Sequence, residues 1–188
     1  MNSKAHYNPK SKRQLVSFVI MLVLSVAVVF GSIAIKNAVD EKNNGTVDVN
    51  FTISKSVPVS VKDNDLGVTA VEEVYNDKNE VVAYVINGTT VGYNAESPIE
   101  MATTITADGK VVCGVDILKQ EETEYLGVRI ATDDFKNQFE GKKIPVVSSN
   151  GIEKGSKVDV IAKSTISSEA VITGVDNAAE YVTEFLAK

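Results

Sequence analysis

"PIEMATTITADGKVVCGVDIL", residues 98–118, alternates apolar and polar positions on both sides of an Asp108-Gly109 pair. A period of two places successive side chains on opposite faces of a strand, and Asp-Gly is a favoured hairpin turn, so this stretch predicts two antiparallel strands. Ile99, Met101 and Ile105 share one face of the first strand, and Val111, Cys113, Val115 and Ile117 share one face of the second. Cys113 then reads as a core residue rather than a reactive thiol. Upstream, "EVVAYVINGTTVGY" (80–93) is rich in β-branched residues and contains Asn87-Gly88, which predicts a second hairpin. Downstream, "DDFKNQFEGKK" (133–143) predicts a short helix with Phe135 and Phe139 four apart and Gly141 as its stop. A strand is expected near 157–162. Val171, Val175, Ala178, Val182 and Phe185 then recur at helical spacing, which predicts an amphipathic C-terminal helix weakened by Thr173 and Gly174. No βαβ alternation is present. The expected fold class is therefore α+β, mostly antiparallel sheet with short helices and a C-terminal amphipathic helix.

The chain of 188 residues has room for about one such domain beyond any targeting segment. "LVSFVIMLVLSVAVVFGSIAI", Leu15 to Ile35, holds no charged residue and would span about 31 Å as a helix, which matches a bilayer core. It predicts an N-terminal transmembrane anchor. The competing reading is a cleaved signal peptide, with Ser32 and Ala34 as a small-x-small site. Lys4, Lys10, Lys12 and Arg13 precede the span, so the positive-inside bias puts the N-terminus in the cytoplasm and the remainder outside a cell membrane. The expected organisation is a cytoplasmic basic tail over 1–14, the anchor over 15–35, a linker over 36–56 and an extracytoplasmic domain over 57–188, with membrane lipid as one partner.

The net charge is −6, and every acidic residue follows the span. An acidic domain repels phosphate backbones, which argues against nucleic-acid binding. A single cysteine excludes an intrachain disulfide or a cysteine-ligated cluster. The only histidine, His6, lies in the basic tail, so neither a histidine-based triad nor a histidine zinc site can form in the domain. Walker and GxGxxG loops are absent. Glu121, Glu122 and Glu124 suit a solvated face better than a carboxylate site. No catalytic acid, base or metal ligand is expected.

"AKSTISSEAV", 162–171, is the remaining stretch of interest. Ser167 or Ser168 can cap the last helix, with Glu169 in its first turn, and that accounts for the pattern without any ligand. The same geometry presents Thr165 beside unpaired N–H groups at a positive helix end, which is a seat for a phosphate.

Taken together, residues from about 71 to 185 resemble the covalent FMN-binding domain found in the G subunit of the Rnf electron-transport complex. The same domain occurs in the C subunit of the sodium-translocating NADH:quinone oxidoreductase. That family's attachment motif, Asp-x-x-Ser/Thr-Gly-Ala-Thr-x-Ser/Thr, is matched by "DVIAKSTIS", Asp159 to Ser167. A family segment close to "GVKVLSHSETPGLG" is matched by "GVDILKQEETEYLG", Gly114 to Gly127. A Phe-x-x-x-Phe-x-Gly-Lys element is matched by Phe135 to Lys142, and "GY" and "PIE" at 92–93 and 98–100 complete the likeness.

The resemblance implies a membrane-anchored flavoprotein subunit that relays electrons in an Rnf-type ion-translocating oxidoreductase complex, with the other membrane subunits as partners. It implies a flavin transferase that cleaves FAD and leaves FMN on Thr165 as a phosphoester. Asp159, Ser164 and Ser167 fall in the motif's span, and Thr123, Leu126 and Gly127 are expected near the flavin ring. Lys163, in place of the motif's glycine, would either hinder the transferase or pair with the phosphate and partly offset its own cost. The chain departs from the family at Ala162, Lys163 and Ser164, and again at Glu124 and Tyr125, which replace Pro-Gly. These departures motivate a second reading, a structural or ligand-binding module of the same fold without covalent flavin.

Overall fold

The computed structural model describes residues 47, 49 and 51–187. The expected anchor over 15–35 lies outside them; among the described residues no helix is long and apolar enough to cross a membrane. Five strands form one antiparallel sheet in sequential order: β1 (Lys55–Val59), β2 (Val68–Tyr75), β3 (Val81–Thr90), β4 (Ile99–Thr106) and β5 (Val112–Lys119). Then come a 3-10 turn over Gly127–Ala131, the short helix α1 (Asp133–Lys136) continued by a second 3-10 turn, and a two-stranded parallel pair, β6 (Val146–Ser148) with β7 (Ser156–Val158). The chain finishes in the long helix α2 (Thr165–Tyr181), whose last turn widens into a π-helix. The α+β class and its antiparallel sheet are as the sequence predicts.

The 98–118 hairpin forms as expected. Gly109 takes φ +72, and its N–H donates to the Thr106 carbonyl at 2.8 Å. Ile99, Met101 and Ile105 are all buried, the first two against the first half of α2 and Ile105 against its second half. On the second strand the expected single face is broken by a bulge: Gly114 pairs with Thr104 and Val112 with Ile105, so Cys113 is the extra residue. Val112 and Val115 consequently pack under α2, whereas Cys113 turns to the opposite face with Val74, Ala83, Val85 and Ala102. Burial pushes its thiol up to about 12, which makes it an inert core group.

Residues 81–90 form one central strand and not the second hairpin that Asn87-Gly88 suggests. Asn87 pairs with Ala70 on one side and Ala102 on the other, and Gly88 pairs with Val68 and Met101. The turn lies earlier, in 76–79, where the Asn76 side chain accepts from the Lys78 and Glu80 N–H groups at 3.0 and 2.9 Å and Asn79 takes φ +62. The strand expected at 157–162 is shorter and earlier, as β7, and it runs parallel to β6.

One face of the sheet is covered by α2. Val171, Val175 and Ala178 pack there, and Tyr181 reaches past the sheet to accept the Lys62 N–H at 2.7 Å. The other face is covered by the incoming chain through Val49, Phe51 and Ile53. Phe135 and Phe139 meet edge to face at 5.4 Å between centroids and close the core beside β5. Lys136 of α1 pairs with Asp116 of β5 at 2.8 Å.

Asp176 ties α2 to β6 by accepting the Val146 N–H at 3.0 Å. Burial, offset in part by that hydrogen bond, raises its pKa above the ordinary value of 3.8. A folded pKa above the unfolded one means the associated stability is fully present below pH 3.8 and is lost as pH rises through the folded value. At neutral pH the ionised carboxylate therefore opposes folding. Asp176→Asn keeps an acceptor oxygen without the charge and is expected to raise the urea midpoint at pH 7. Midpoints measured across acid pH should lose this component in the variant.

Candidate functional site

Antiparallel pairing brings the end of β3, the start of β4 and the end of β5 to the same end of the sheet, because Thr90 pairs with Ile99 and Glu100 with Lys119. The two loops that leave there, 91–98 and 120–126, meet the N-terminus of α2. Thr90 donates its hydroxyl to the Ala170 carbonyl at 3.0 Å and fixes the helix over β3.

The helix begins at Thr165, with Ser164 as its N-cap residue. This corrects the expectation that Ser167 or Ser168 caps it with Glu169 in the first turn: both serines lie inside the helix, and no acidic residue is in the first turn. Their hydroxyls face inward. Ser168 donates to the Ser164 carbonyl at 2.9 Å and accepts the Ile161 N–H at 3.1 Å, and Ser164 donates to the Ser167 oxygen at 3.2 Å. The chain enters through a tight turn, with the Ser164 N–H on the Ile161 carbonyl at 2.9 Å and Lys163 at φ +66. Lys163 stands where the family motif has glycine, and a left-handed lysine costs about 1 to 2 kcal/mol.

The first main-chain hydrogen bond of the helix is from the Ser168 N–H to the Ser164 carbonyl at 3.0 Å. Among the described residues, the N–H groups of Thr165, Ile166 and Ser167 have no acceptor. Thr165 is exposed, and among the described residues its hydroxyl is unpaired. Three free amides, an aligned helix dipole and a free hydroxyl fit a phosphate ester.

Glu122 is the residue whose role the sequence conceals. Expected on a solvated face, it is 6% exposed. Its carboxylate accepts the Tyr93 and Asn94 N–H groups, each at 3.1 Å, and the Ser167 hydroxyl at 2.5 Å. One side chain thus clasps both loops to the first turn of α2. Neither Gly92 nor Gly127 leaves room for a β-carbon against it: at Gly127 that atom would sit 2.6 Å from the Glu122 β-carbon and 3.2 Å from the Ser167 oxygen. The available sequence signal is that Glu122 aligns with the glutamate of the family's "SETPGLG" segment.

The other expected residues distribute as follows. Gly127 is buried against this clasp, Leu126 is half-buried, and Thr123 is exposed while its carbonyl accepts the Leu126 and Val128 N–H groups at 3.2 and 3.3 Å. Asp159 is exposed, with its main chain held by Gln138, whose oxygen accepts the Asp159 N–H at 2.8 Å. Its carboxylate is not drawn into the clasp. Glu121 and Glu124 are exposed, and no metal-binding group of carboxylates, cysteines or histidines is found among the described residues. Tyr93, Tyr125 and Ile166 are exposed at 65%, 80% and 55% on the loops and first helical turn, giving aromatic and apolar surface beside the phosphate seat.

An antiparallel sheet that holds a threonine hydroxyl and free amides at a helix start, flanked by such surface, defines a seat for a phosphate ester. Residues 92–180 match the FMN-binding domain family. Over 185 residues the chain is 32% identical to the G subunit of the Na(+)-translocating ferredoxin:NAD(+) oxidoreductase complex of Acetobacterium woodii, covering 88% of this chain and 87% of that protein. The chain belongs to this FMN-binding-domain family, which includes the G subunits of ion-translocating oxidoreductases.

It is also 34% identical over 121 residues to the G subunit of the ion-translocating oxidoreductase complex of Methanosarcina acetivorans, covering 58% of this chain and 63% of that one. The G subunit of the proton-translocating ferredoxin:NAD(+) oxidoreductase complex of Clostridium ljungdahlii matches at 34% over 108 residues, or 57% of each. The chain therefore matches less than two thirds of the length of these two relatives. Among solved structures, the C subunit of the Na(+)-translocating NADH-quinone reductase of Parabacteroides distasonis superimposes with a TM-score of 0.54 at 22% identity, covering 72% of this chain and 79% of that one. NqrC of Shewanella oneidensis gives 0.51 at 16%, covering 69% of each. These two likenesses establish a shared fold.

Proposed function

We propose that the chain is a membrane-anchored electron-carrier subunit of an Rnf-type ion-translocating complex, with FMN joined through its phosphate to Thr165. The observation that carries this reading is the exposed Thr165 hydroxyl beside three acceptor-free amides at the start of α2. A flavin transferase would supply the ester from FAD: the threonine oxygen forms its bond to the flavin-side phosphorus and gives up its proton, the pyrophosphate bond breaks, and AMP leaves with the electron pair and a proton in balance. Bound FMN supplies the redox step. The protein's part is positional. Glu122 and Ser167 hold the helix start against the two loops. The free amides would receive phosphate oxygens, and Thr123, Leu126 and Gly127 would lie on the ring's side of the seat. The span over Leu15 to Ile35 anchors the domain on the outer face of the cell membrane, beside the other subunits.

The relatives named for ferredoxin and NAD(+) suggest the electron donor and acceptor for the test. Membranes containing the assembled complex should lose their covalently bound flavin absorbance on addition of reduced ferredoxin and regain it on addition of NAD(+). A covalent flavin that ferredoxin leaves oxidised would refute the relay.

One observation favours a second reading, a module of the same fold without flavin: side chains occupy the positive-φ positions of Tyr125 and Lys163 where the family carries glycine. In that case Ala162, Lys163 and Ser164 changed together to Ser, Gly and Ala would convert a colourless protein into a yellow one.

A further inference from the structure

Tyr125 and Lys163 share three properties that the fold itself does not explain. Each is the third residue of a tight turn: the Leu126 N–H closes one on the Thr123 carbonyl at 3.2 Å, and the Ser164 N–H closes the other on the Ile161 carbonyl at 2.9 Å. Each takes a left-handed conformation, at φ +63 and +66, that glycine adopts freely and side chains resist. Each is exposed, Tyr125 to 80%, and among the described residues neither the phenol nor the ammonium has a hydrogen-bond or ionic partner.

The strain in these turns is thus not offset by contacts within the described part of the protein. Both turns abut the same place, since Gly127, two residues after Tyr125, lies against Ser167, and Lys163 immediately precedes the N-cap of α2. Persistent strain beside a binding seat points to contacts made with what binds there.

Resting on the FMN reading above, we infer that these two side chains are positioning residues for the attached flavin: the Tyr125 ring packs on the isoalloxazine, and the Lys163 ammonium faces the phosphodiester. The chemistry is matched. A phenol ring stacks on a flat heteroaromatic system, and an ammonium two residues before Thr165 lies within reach of the anion carried on it. A glycine at either position would relax the turn but forfeit the contact. This chain therefore holds its flavin with side chains at two points where the family pattern offers bare backbone.

The test compares the full-length, detergent-extracted chain with Tyr125→Gly and Lys163→Gly, each prepared with and without co-expressed flavin transferase. Without the transferase, each glycine variant should melt about 3 °C higher than wild type, because strain is relieved. With flavin attached, that increment should vanish or reverse in sign. Flavin fluorescence should rise in Tyr125→Gly, because the phenol that stacks on and quenches the ring is gone. Increments that are equal with and without flavin, together with unchanged fluorescence, would overturn the inference while leaving FMN attachment intact. A wild-type chain whose mass shows no FMN would overturn the attachment reading itself, and this inference with it.

Discussion

Glu122→Ala is expected to destabilise the folded domain by about 2 to 4 kcal/mol, more than any other single change at the site. The carboxylate, carried by the 120–126 loop, is buried and accepts from two main-chain N–H groups of the 91–98 loop and one hydroxyl of α2. Truncation leaves the Tyr93 and Asn94 amides and the Ser167 hydroxyl without their acceptor, at about 1 to 3 kcal/mol for each donor that stays buried. Some relaxation is expected, because both loops lie at the surface. Glu122→Gln retains the volume and one acceptor oxygen and should lose only about 1 to 2 kcal/mol. Urea denaturation of the three proteins checks this order, and equal stabilities would show that the clasp contributes nothing.

Thr165→Ala should have the opposite profile, with complete loss of covalent flavin and almost no change in stability. The side chain is exposed, makes no hydrogen bond among the described residues and is not the cap, which is Ser164. A surface substitution of this kind falls within about 0.5 kcal/mol of wild type. After co-expression with the transferase, wild-type protein should fluoresce in a denaturing gel and Thr165→Ala should be dark. That contrast would separate the two residues, with Glu122 shaping the seat and Thr165, on the proposed reading, supplying the oxygen that carries the ester. A Thr165→Ala protein that still fluoresces after denaturation would transfer the attachment to another hydroxyl.

The sheet is legible in the sequence where local chemistry and pattern agree. The 98–118 hairpin has both a turn pair and alternation, and it forms as read. Asn87-Gly88 carries an equally good turn signature, yet it lies in mid-strand because strands on both sides pair with it, and that outcome depends on partners remote in sequence. The bulge that sends Cys113 to the other face is likewise set by register with β4.

At the site, the serine- and threonine-rich run correctly marks a helix start, but the cap lies three or four residues before the serines that look best suited to it. The true start depends on Lys163 adopting a conformation that its residue type disfavours. Glu122 is hidden for another reason. Three glutamates within four positions read as solvated, and only the convergence of two loops and α2 shows that one of them is enclosed. The identity of the ligand comes from motif resemblance, since free amides and a hydroxyl define a phosphate seat without naming what the phosphate carries.

The central claim is the ester at Thr165, and peptide mass mapping of the wild-type chain tests it most directly. Trypsin cleaves after Lys163, so the C-terminal peptide begins at Ser164 with Thr165 second. The chain made with a flavin transferase should yield this peptide heavier by one FMN less one water, with fragmentation assigning the increment to Thr165. A peptide of unmodified mass, or an increment assigned to Ser164, Ser167 or Ser168, would contradict the account.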